Sequence, residues 1–97
     1  MIIAVDFDGT IQITEKGRKI PNLQLIQKLR NEQKHGAIII LWSCREKESL
    51  MEAVRYCIQY GLKPNYINAN APESIQMLGH DSRKIYADVY SDDKNAR

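Results

Sequence analysis

Residues 2–10 read IIAVDFDGT, and they decide the fold because an apolar run ends in two acidic side chains. Such a run is typical of a buried strand, and side chains two apart on a strand point to the same side. The carboxylates of Asp6 and Asp8 are therefore predicted to leave the strand together, and Gly9 lets the chain turn after them. Like charges held this close resist joint ionisation unless a cation or a shared proton relieves them. A divalent metal ion is the natural partner of such a pair.

The acidic residues taken alone leave simpler interpretations open. Asp8 and Gly9 could close an ordinary turn in which Asp6 only caps a backbone group. A second acidic pair, Asp92 and Asp93, follows another run suited to a strand, and by itself it is typical of a solvated chain end. Acidic clusters would also allow Ca2+ or Mn2+ in place of Mg2+.

The composition is that of one small globular domain, which we expect to span residues 1–97. The chain is 43% hydrophobic and 27% charged, with a formal net charge of +2, and it lacks the basic stripe of a nucleic-acid-binding protein. Cys44 and Cys57 have neither the spacing of a zinc site nor that of a disulfide framework. The sequence has no apolar stretch of about 18 residues and no signal peptide, so we expect a cytoplasmic protein without a membrane partner.

Hydrophobic periodicity predicts strands that alternate with helices. The predicted strands are residues 2–6, 37–42, 66–68 and 85–90, and residues 11–20 are expected to form a loop or small hairpin. A first helix is predicted from Pro21 or Asn22 to Gly36, with a buried stripe at Leu23, Ile26 and Leu29. A second is predicted over residues 46–60, with its stripe at Leu50, Val54, Cys57 and Ile58. Residues 72–78 are expected to form about two further helical turns.

Alternating strands and helices indicate right-handed crossovers and hence an open α/β sheet of parallel strands. With the first strand between the second and the fourth, the predicted strand order is 4-1-2-3. Ligands of such sheets bind at the carboxyl ends of the strands, where the strand order reverses. We therefore expect the four acidic residues Asp6, Asp8, Asp92 and Asp93 to converge there. Both long helices are expected on one face of the sheet, which leaves residues 69–84 to cover the other face.

Three motifs occur in an order that resembles the haloacid dehalogenase-like hydrolases. DFDGT follows the first strand, LWS ends the second, and a lysine and an Asp-Asp pair flank the last. The resemblance covers nearly the whole chain and implies a three-layer, Rossmann-like fold. The chain has no room for a cap domain either between Asp8 and the first helix or between the third strand and Lys84. We therefore expect a minimal, capless member of this family with an open site.

The resemblance implies catalytic roles for Asp6, Asp8 and Lys84. Asp6 would attack phosphorus and become an aspartyl phosphate, while Asp8 would protonate the leaving oxygen and later activate water. Lys84 would neutralise the nucleophile and the transferred group, with Lys63 as the alternative lysine. The resemblance further implies that Mg2+ binds Asp6, the backbone carbonyl of Asp8 and Asp92, with Asp93 in support.

Substrate binding is expected at four further residues, namely Ser43, Cys44, Gly9 and Thr10. Ser43 ends a strand just before a helix, so its hydroxyl and the amide of Cys44 are expected to hold phosphate oxygens. A serine that only caps the helix is the alternative interpretation. The Cys44 thiol is expected to pack rather than react. Arg45 and His80 could contact substrate from loops near the site, but both are expected to be solvated.

These features predict a Mg2+-dependent phosphohydrolase that acts on a phosphomonoester. The alternative is a noncatalytic regulatory domain that binds phosphate or metal and is phosphorylated on Asp6. The thin cover of one sheet face also predicts a homodimer or a chain truncated at its C-terminus.

Overall fold

The structure is a computed structural model that describes residues 1–69 and 87–91. Within these residues it contains two helices and six strands. In chain order they are β1 (Ile2–Asp6), β2 (Gln12–Glu15), β3 (Arg18–Pro21), α1 (Leu23–Lys34), β4 (Ile38–Trp42), α2 (Lys47–Gln59), β5 (Tyr66–Ile67) and β6 (Val89–Ser91). Neither of these helices is long and apolar enough to cross a lipid bilayer.

Four of the strands form a parallel sheet in the order β5-β4-β1-β6, so β1 is central. Its neighbours are β4, where Ile2 pairs with Ile38, and β6, where Ile3 pairs with Val89. The predicted order 4-1-2-3 numbers only the strands of this sheet and leaves out the hairpin strands β2 and β3. In that numbering β1, β4, β5 and β6 are strands 1, 2, 3 and 4, so the observed order, counted from β6, is also 4-1-2-3. The protein is thus an α/β protein with a parallel sheet.

Both helices pack on one face of the sheet, as the sequence predicts. Alternate side chains of β1, Ile3 and Val5, join the cluster that contains the buried residues of α1 and α2. The other side chains of that strand, Ile2 and Ala4, face the opposite side and cluster with Ile40 and Ala87. The predicted third layer would come from residues 69–84, which lie almost wholly outside the described residues.

A two-residue turn connects β2 and β3, which confirms the hairpin alternative for residues 11–20. Lys16 and Gly17 both have positive φ, at 52° and 76°, as a type I′ turn requires. This hairpin occupies all the chain between the end of β1 and the start of α1 apart from the turn at residues 7–11 and the N-cap residue Asn22. The short connection leaves no room there for a cap domain.

The two long predicted helices are present, but one residue in the predicted buried stripe of each was wrong; the helical turns predicted at residues 72–78 lie outside the described residues. Leu23 is 61% exposed and Ile58 is 51% exposed. A three-residue step falls about 60° short of a full turn, so Leu23 lies about 120° around α1 from the buried Leu29. On α2 the buried arc is formed by Ala53, Val54 and Cys57, which leaves Ile58 at its margin.

The last strand begins later than predicted. Of the predicted strand at residues 85–90, residues 85 and 86 lie outside the described residues, and Ala87 and Asp88 precede β6. The Asp88 backbone N–H donates to the Ile2 carbonyl over 2.8 Å, and its Oδ2 accepts from the Ile2 N–H at 2.7 Å. Asp88 therefore fastens the start of β1 to β6 at the edge opposite Asp6.

Candidate active site

A tight turn after β1 presents Asp6 and Asp8. Phe7 between them is 1% exposed, and its carbonyl accepts hydrogen bonds from the N–H groups of Thr10, Ile11 and Gln12 at 3.0 to 3.2 Å. Gly9 has φ 79°, a conformation that favours glycine, and its N–H donates to the Gln12 carbonyl over 2.8 Å. The turn thus buries the aromatic ring and leaves the carboxylates on either side of it at the carboxyl edge of the sheet.

The side chain of Thr10 is not available for the substrate contact predicted for this residue. Its side chain is fully buried, and its Oγ1 has no hydrogen-bond partner among the described residues. A side chain with no exposed surface does not reach a ligand at an open site. The expected substrate contact is therefore not supported for Thr10, whereas the exposed Gly9 remains at the site.

Asp6 and Ser43 lie at the same edge on neighbouring strands. Asp6 pairs with Trp42 in the β1–β4 register, and Ser43 follows Trp42 directly. Asp6 is half-buried, and its Oδ1 accepts from the Phe7 N–H at 2.8 Å. The structure therefore brings the predicted nucleophile and the predicted phosphate-binding serine to adjacent strand ends.

Ser43 does not cap α2. The N-cap residue is Glu46, whose side chain makes no capping hydrogen bond, and the Ser43 Oγ instead accepts from the Arg45 N–H at 3.0 Å.

Between Ser43 and the helix, the Cys44 side chain is exposed, so the expectation that it packs was wrong. The other thiol, Cys57, is buried in the core, and this burial raises its pKa to about 11.

Asn68 holds Ser43 in place, a role that the sequence analysis missed. Its Oδ1 accepts from the Ser43 N–H at 2.7 Å, and its Nδ2 donates to the Ser43 carbonyl over 3.1 Å. Asn68 directly follows β5 and has φ 49°, in the left-handed region that asparagine tolerates better than most residues. An asparagine directly after a short strand was the available sequence signal.

Arg45 was expected to be solvated, but it pairs with Asp8 through two hydrogen bonds. Its Nε donates to Oδ2 over 2.9 Å, and its Nη2 donates to Oδ1 over 2.8 Å. These hydrogen bonds lower the pKa of Asp8 from its ordinary value. The Asp8 carboxylate is 52% exposed, so the pair contributes little to the stability of the fold.

Only part of the predicted metal site lies among the described residues. Asp6 and Asp8 supply hard oxygen donors of the kind that Mg2+ prefers, and within the described ranges no three acidic, histidine or cysteine side chains form a group that could hold a metal ion. Asp92 and Asp93 lie outside the described residues. Ser91 is opposite Val5 in the parallel β1–β6 pair, so the chain leaves β6 at the edge where Asp6 lies. The described part of the predicted ligand set, the Asp6 carboxylate and the Asp8 carbonyl, would by itself supply only part of the oxygen ligands that Mg2+ requires.

The two candidate lysines have different outcomes. Lys84 lies outside the described residues and stays a prediction. The Lys63 carbonyl accepts from Gln33 Nε2 at 2.8 Å. Gln33 lies in the last turn of α1, next to the connection that leads into the start of β4. Lys63 thus lies at the amino edge of the sheet, opposite Asp6, and the alternative assignment to it was wrong.

The fold and this edge define a parallel α/β protein with paired carboxylates at the end of its central strand. A conserved protein from Bacteroides thetaiotaomicron has a similar solved structure, with a TM-score of 0.77 and 41% sequence identity over 98% of this chain and 77% of that chain. The chain belongs to the same family as that protein. No protein-family model and no curated protein matches the sequence.

Proposed function

We propose that the protein is a Mg2+-dependent phosphohydrolase that cleaves a phosphomonoester through an aspartyl phosphate on Asp6. The observation that carries this proposal is the turn after β1, which leaves Asp6 and Asp8 at the carboxyl edge while Phe7 is buried between them. Two carboxylates at one strand end can divide the work of a nucleophile and a proton carrier. The proposed architecture is a minimal, capless, three-layer core similar to the haloacid dehalogenase-like hydrolases.

In the proposed reaction, an Asp6 carboxylate oxygen attacks phosphorus, and the bond from phosphorus to the leaving oxygen breaks. Asp8 gives its proton to that oxygen and then takes a proton from the water that hydrolyses the aspartyl phosphate. Asp6, the Asp8 carbonyl, Asp92 and Asp93 would hold Mg2+, which would neutralise charge on the phosphoryl group. Ser43, with its backbone fixed by Asn68, would bind a phosphoryl oxygen together with the Cys44 amide.

The site is exposed, which supports the proposal that the protein does not enclose its substrate. Asp8 is half exposed, and the short connection to α1 carries only the hairpin. The hairpin residue Lys19 is exposed and close enough to Asp8 to lower the pKa of that carboxyl. A positive charge beside an open phosphate site favours anionic substrates.

The test is hydrolysis of an aryl phosphate with and without Mg2+. Asp6→Asn removes the nucleophile and is expected to reduce turnover to background. Asp8→Asn removes proton transfer and is expected to reduce it by roughly 100-fold or more. Glu15→Gln, which neutralises an exposed carboxylate on the hairpin, is the matched control and should retain activity. Equal activity in Asp6→Asn and wild type would refute the proposal.

One observation favours the regulatory alternative as a second candidate. The bidentate pair with Arg45 favours the ionised form of Asp8, which has no proton to give. If that pair persists during the reaction, Asp8 cannot protonate the leaving oxygen of a phosphomonoester, so Asp6 would be phosphorylated only by a donor whose leaving group needs no proton. The lowered pKa of Asp8 also makes it a weak base toward the hydrolytic water, so phosphorylated Asp6 would accumulate. Treating the protein with a small acyl phosphate and following its mass over time distinguishes the two, because a long-lived phosphorylated form without hydrolysis indicates regulation.

A further inference from the structure

Arg45 presents its guanidinium edge to two oxygens of one group. Its Nε and Nη2 donate to the two carboxylate oxygens of Asp8 over 2.9 and 2.8 Å. A phosphoryl group offers a similar pair of oxygens, and the planar guanidinium binds carboxylates and phosphates with the same bidentate geometry. The side chain that holds Asp8 therefore has the chemistry to hold a phosphate.

The guanidinium is fixed by contacts that do not involve Asp8. Its third nitrogen, Nη1, donates to the Ser49 carbonyl over 3.3 Å, and its central carbon lies 4.9 Å from the centre of the buried Phe7 ring. The Arg45 backbone N–H is bound to the Ser43 hydroxyl at 3.0 Å. Arg45 thus stays beside the turn and the serine even when Asp8 is not bound to it.

Asp8 is the partner that is free to move. Its side chain is 52% exposed, compared with 22% for Arg45, and an exposed ion pair is weak enough to exchange. The carboxylate that leaves the guanidinium returns to solvent at little cost in solvation. Exchange of one oxyanion for another at Arg45 therefore requires little rearrangement.

We propose that Arg45 binds the substrate phosphate, exchanging Asp8 for two phosphoryl oxygens and thereby releasing the Asp8 carboxylate from the guanidinium. The inference rests on the proposed function and adds a substrate-binding residue to it. In the free protein, the Asp8 carboxylate occupies the phosphate-binding position on Arg45 and therefore competes with the substrate phosphate for it. A merely structural Arg45 would hold Asp8 and never contact phosphate.

The test is a double-mutant cycle on the affinity for inorganic phosphate, measured by calorimetry with Mg2+ present in the wild type, Arg45→Gln, Asp8→Asn and the double variant. We expect Asp8→Asn to bind phosphate more tightly than the wild type, because the competitor is gone. We expect Arg45→Gln to weaken binding at least tenfold in the Asp8→Asn background. Arg55→Gln, at an exposed position on α2, is the matched control and should leave the affinity unchanged.

The two roles of Arg45 give different results in this cycle. If Arg45 only holds Asp8, its replacement has no effect once Asp8 is asparagine, and that result overturns the inference. Failure of the Asp8→Asn variant to bind phosphate overturns it as well. Circular dichroism of each variant reports whether the fold is retained, and Arg45→Lys, which keeps the charge without the fork, should recover only part of the affinity.

Binding is measured without turnover, so the inference and the proposed function can fail separately. Arg45-dependent phosphate binding in a protein that hydrolyses no phosphoester would refute the phosphohydrolase and leave the exchange standing as anion binding. Hydrolysis that depends on Asp6, together with phosphate binding that is independent of Arg45, would refute the exchange alone.

Discussion

Phe7 is the buried residue between the two carboxylates of the turn after β1. Because its ring is buried under Arg45 and against Tyr56, at 4.9 and 5.4 Å, it anchors the turn from inside. Asp6 and Asp8 on either side remain at the surface edge of the sheet. One buried aromatic side chain thus holds the turn that carries the proposed nucleophile and the proposed proton carrier.

At the residue scale, we predict that Thr10→Val stabilises the protein. The Thr10 hydroxyl is buried without a partner among the described residues, and a methyl group of similar size removes this cost. We expect the free energy of unfolding in urea to rise by about 1 kcal/mol.

Thr10→Ser is the matched control, because it keeps the hydroxyl and removes the buried methyl group, and it should lower stability. Loss of phosphate binding in Thr10→Val would contradict the account and restore the substrate contact expected from the sequence.

The positions of Asp6 and Asp8 were predictable, because strand alternation and the glycine after them act over a few residues. The contacts of Arg45 and Asn68 were not predictable, since the first joins residues 37 positions apart and the second joins residues 25 positions apart. An arginine before a helix or an asparagine after a strand is ordinary in sequence. Only the register of the sheet brings these side chains to Asp8 and Ser43.

At the scale of the elements, Asn22 links the site turn to α1. Its Oδ1 accepts from the Leu25 N–H at 3.3 Å as the helix cap, and its Nδ2 donates to the Thr10 carbonyl over 3.1 Å. The cap therefore fixes the turn that carries Asp8 relative to the first helix.

We predict that Asn22→Ala lowers the free energy of unfolding by about 1–2 kcal/mol, because it removes both the cap and the bond to the turn. Asn22→Asp keeps the cap acceptor and loses only the donor, so it should lower stability by roughly half as much. Chemical denaturation measures both values. Equal losses in the two variants would show that the cap contributes nothing.

The elements themselves were largely predictable from periodicity, and the errors have a common cause. Leu23 and Ile58 are apolar residues at the margins of helix faces, where burial depends on how far the sheet extends beneath the helix. That extent follows from tertiary packing and not from spacing within the helix. The roles of Lys84, Asp92 and Asp93 stay predictions.

At the scale of the whole molecule, both helices cover one face of a narrow four-stranded sheet. This arrangement was the basis for expecting a homodimer, and we retain that prediction. Light scattering should give a mass near twice the 11.2 kDa of one chain at high protein concentration. A monomer mass up to the highest concentration that stays in solution would contradict it.

Attack of Asp6 on phosphorus is tested by the Mg2+-dependent hydrolysis of an aryl phosphate by the wild type and by Asp6→Asn under the same conditions. We expect steady turnover by the wild type and only background hydrolysis by the variant, with its fold intact by circular dichroism. Turnover that survives the replacement of Asp6, or a folded wild type that binds Mg2+ and phosphate but hydrolyses nothing, would contradict this expectation.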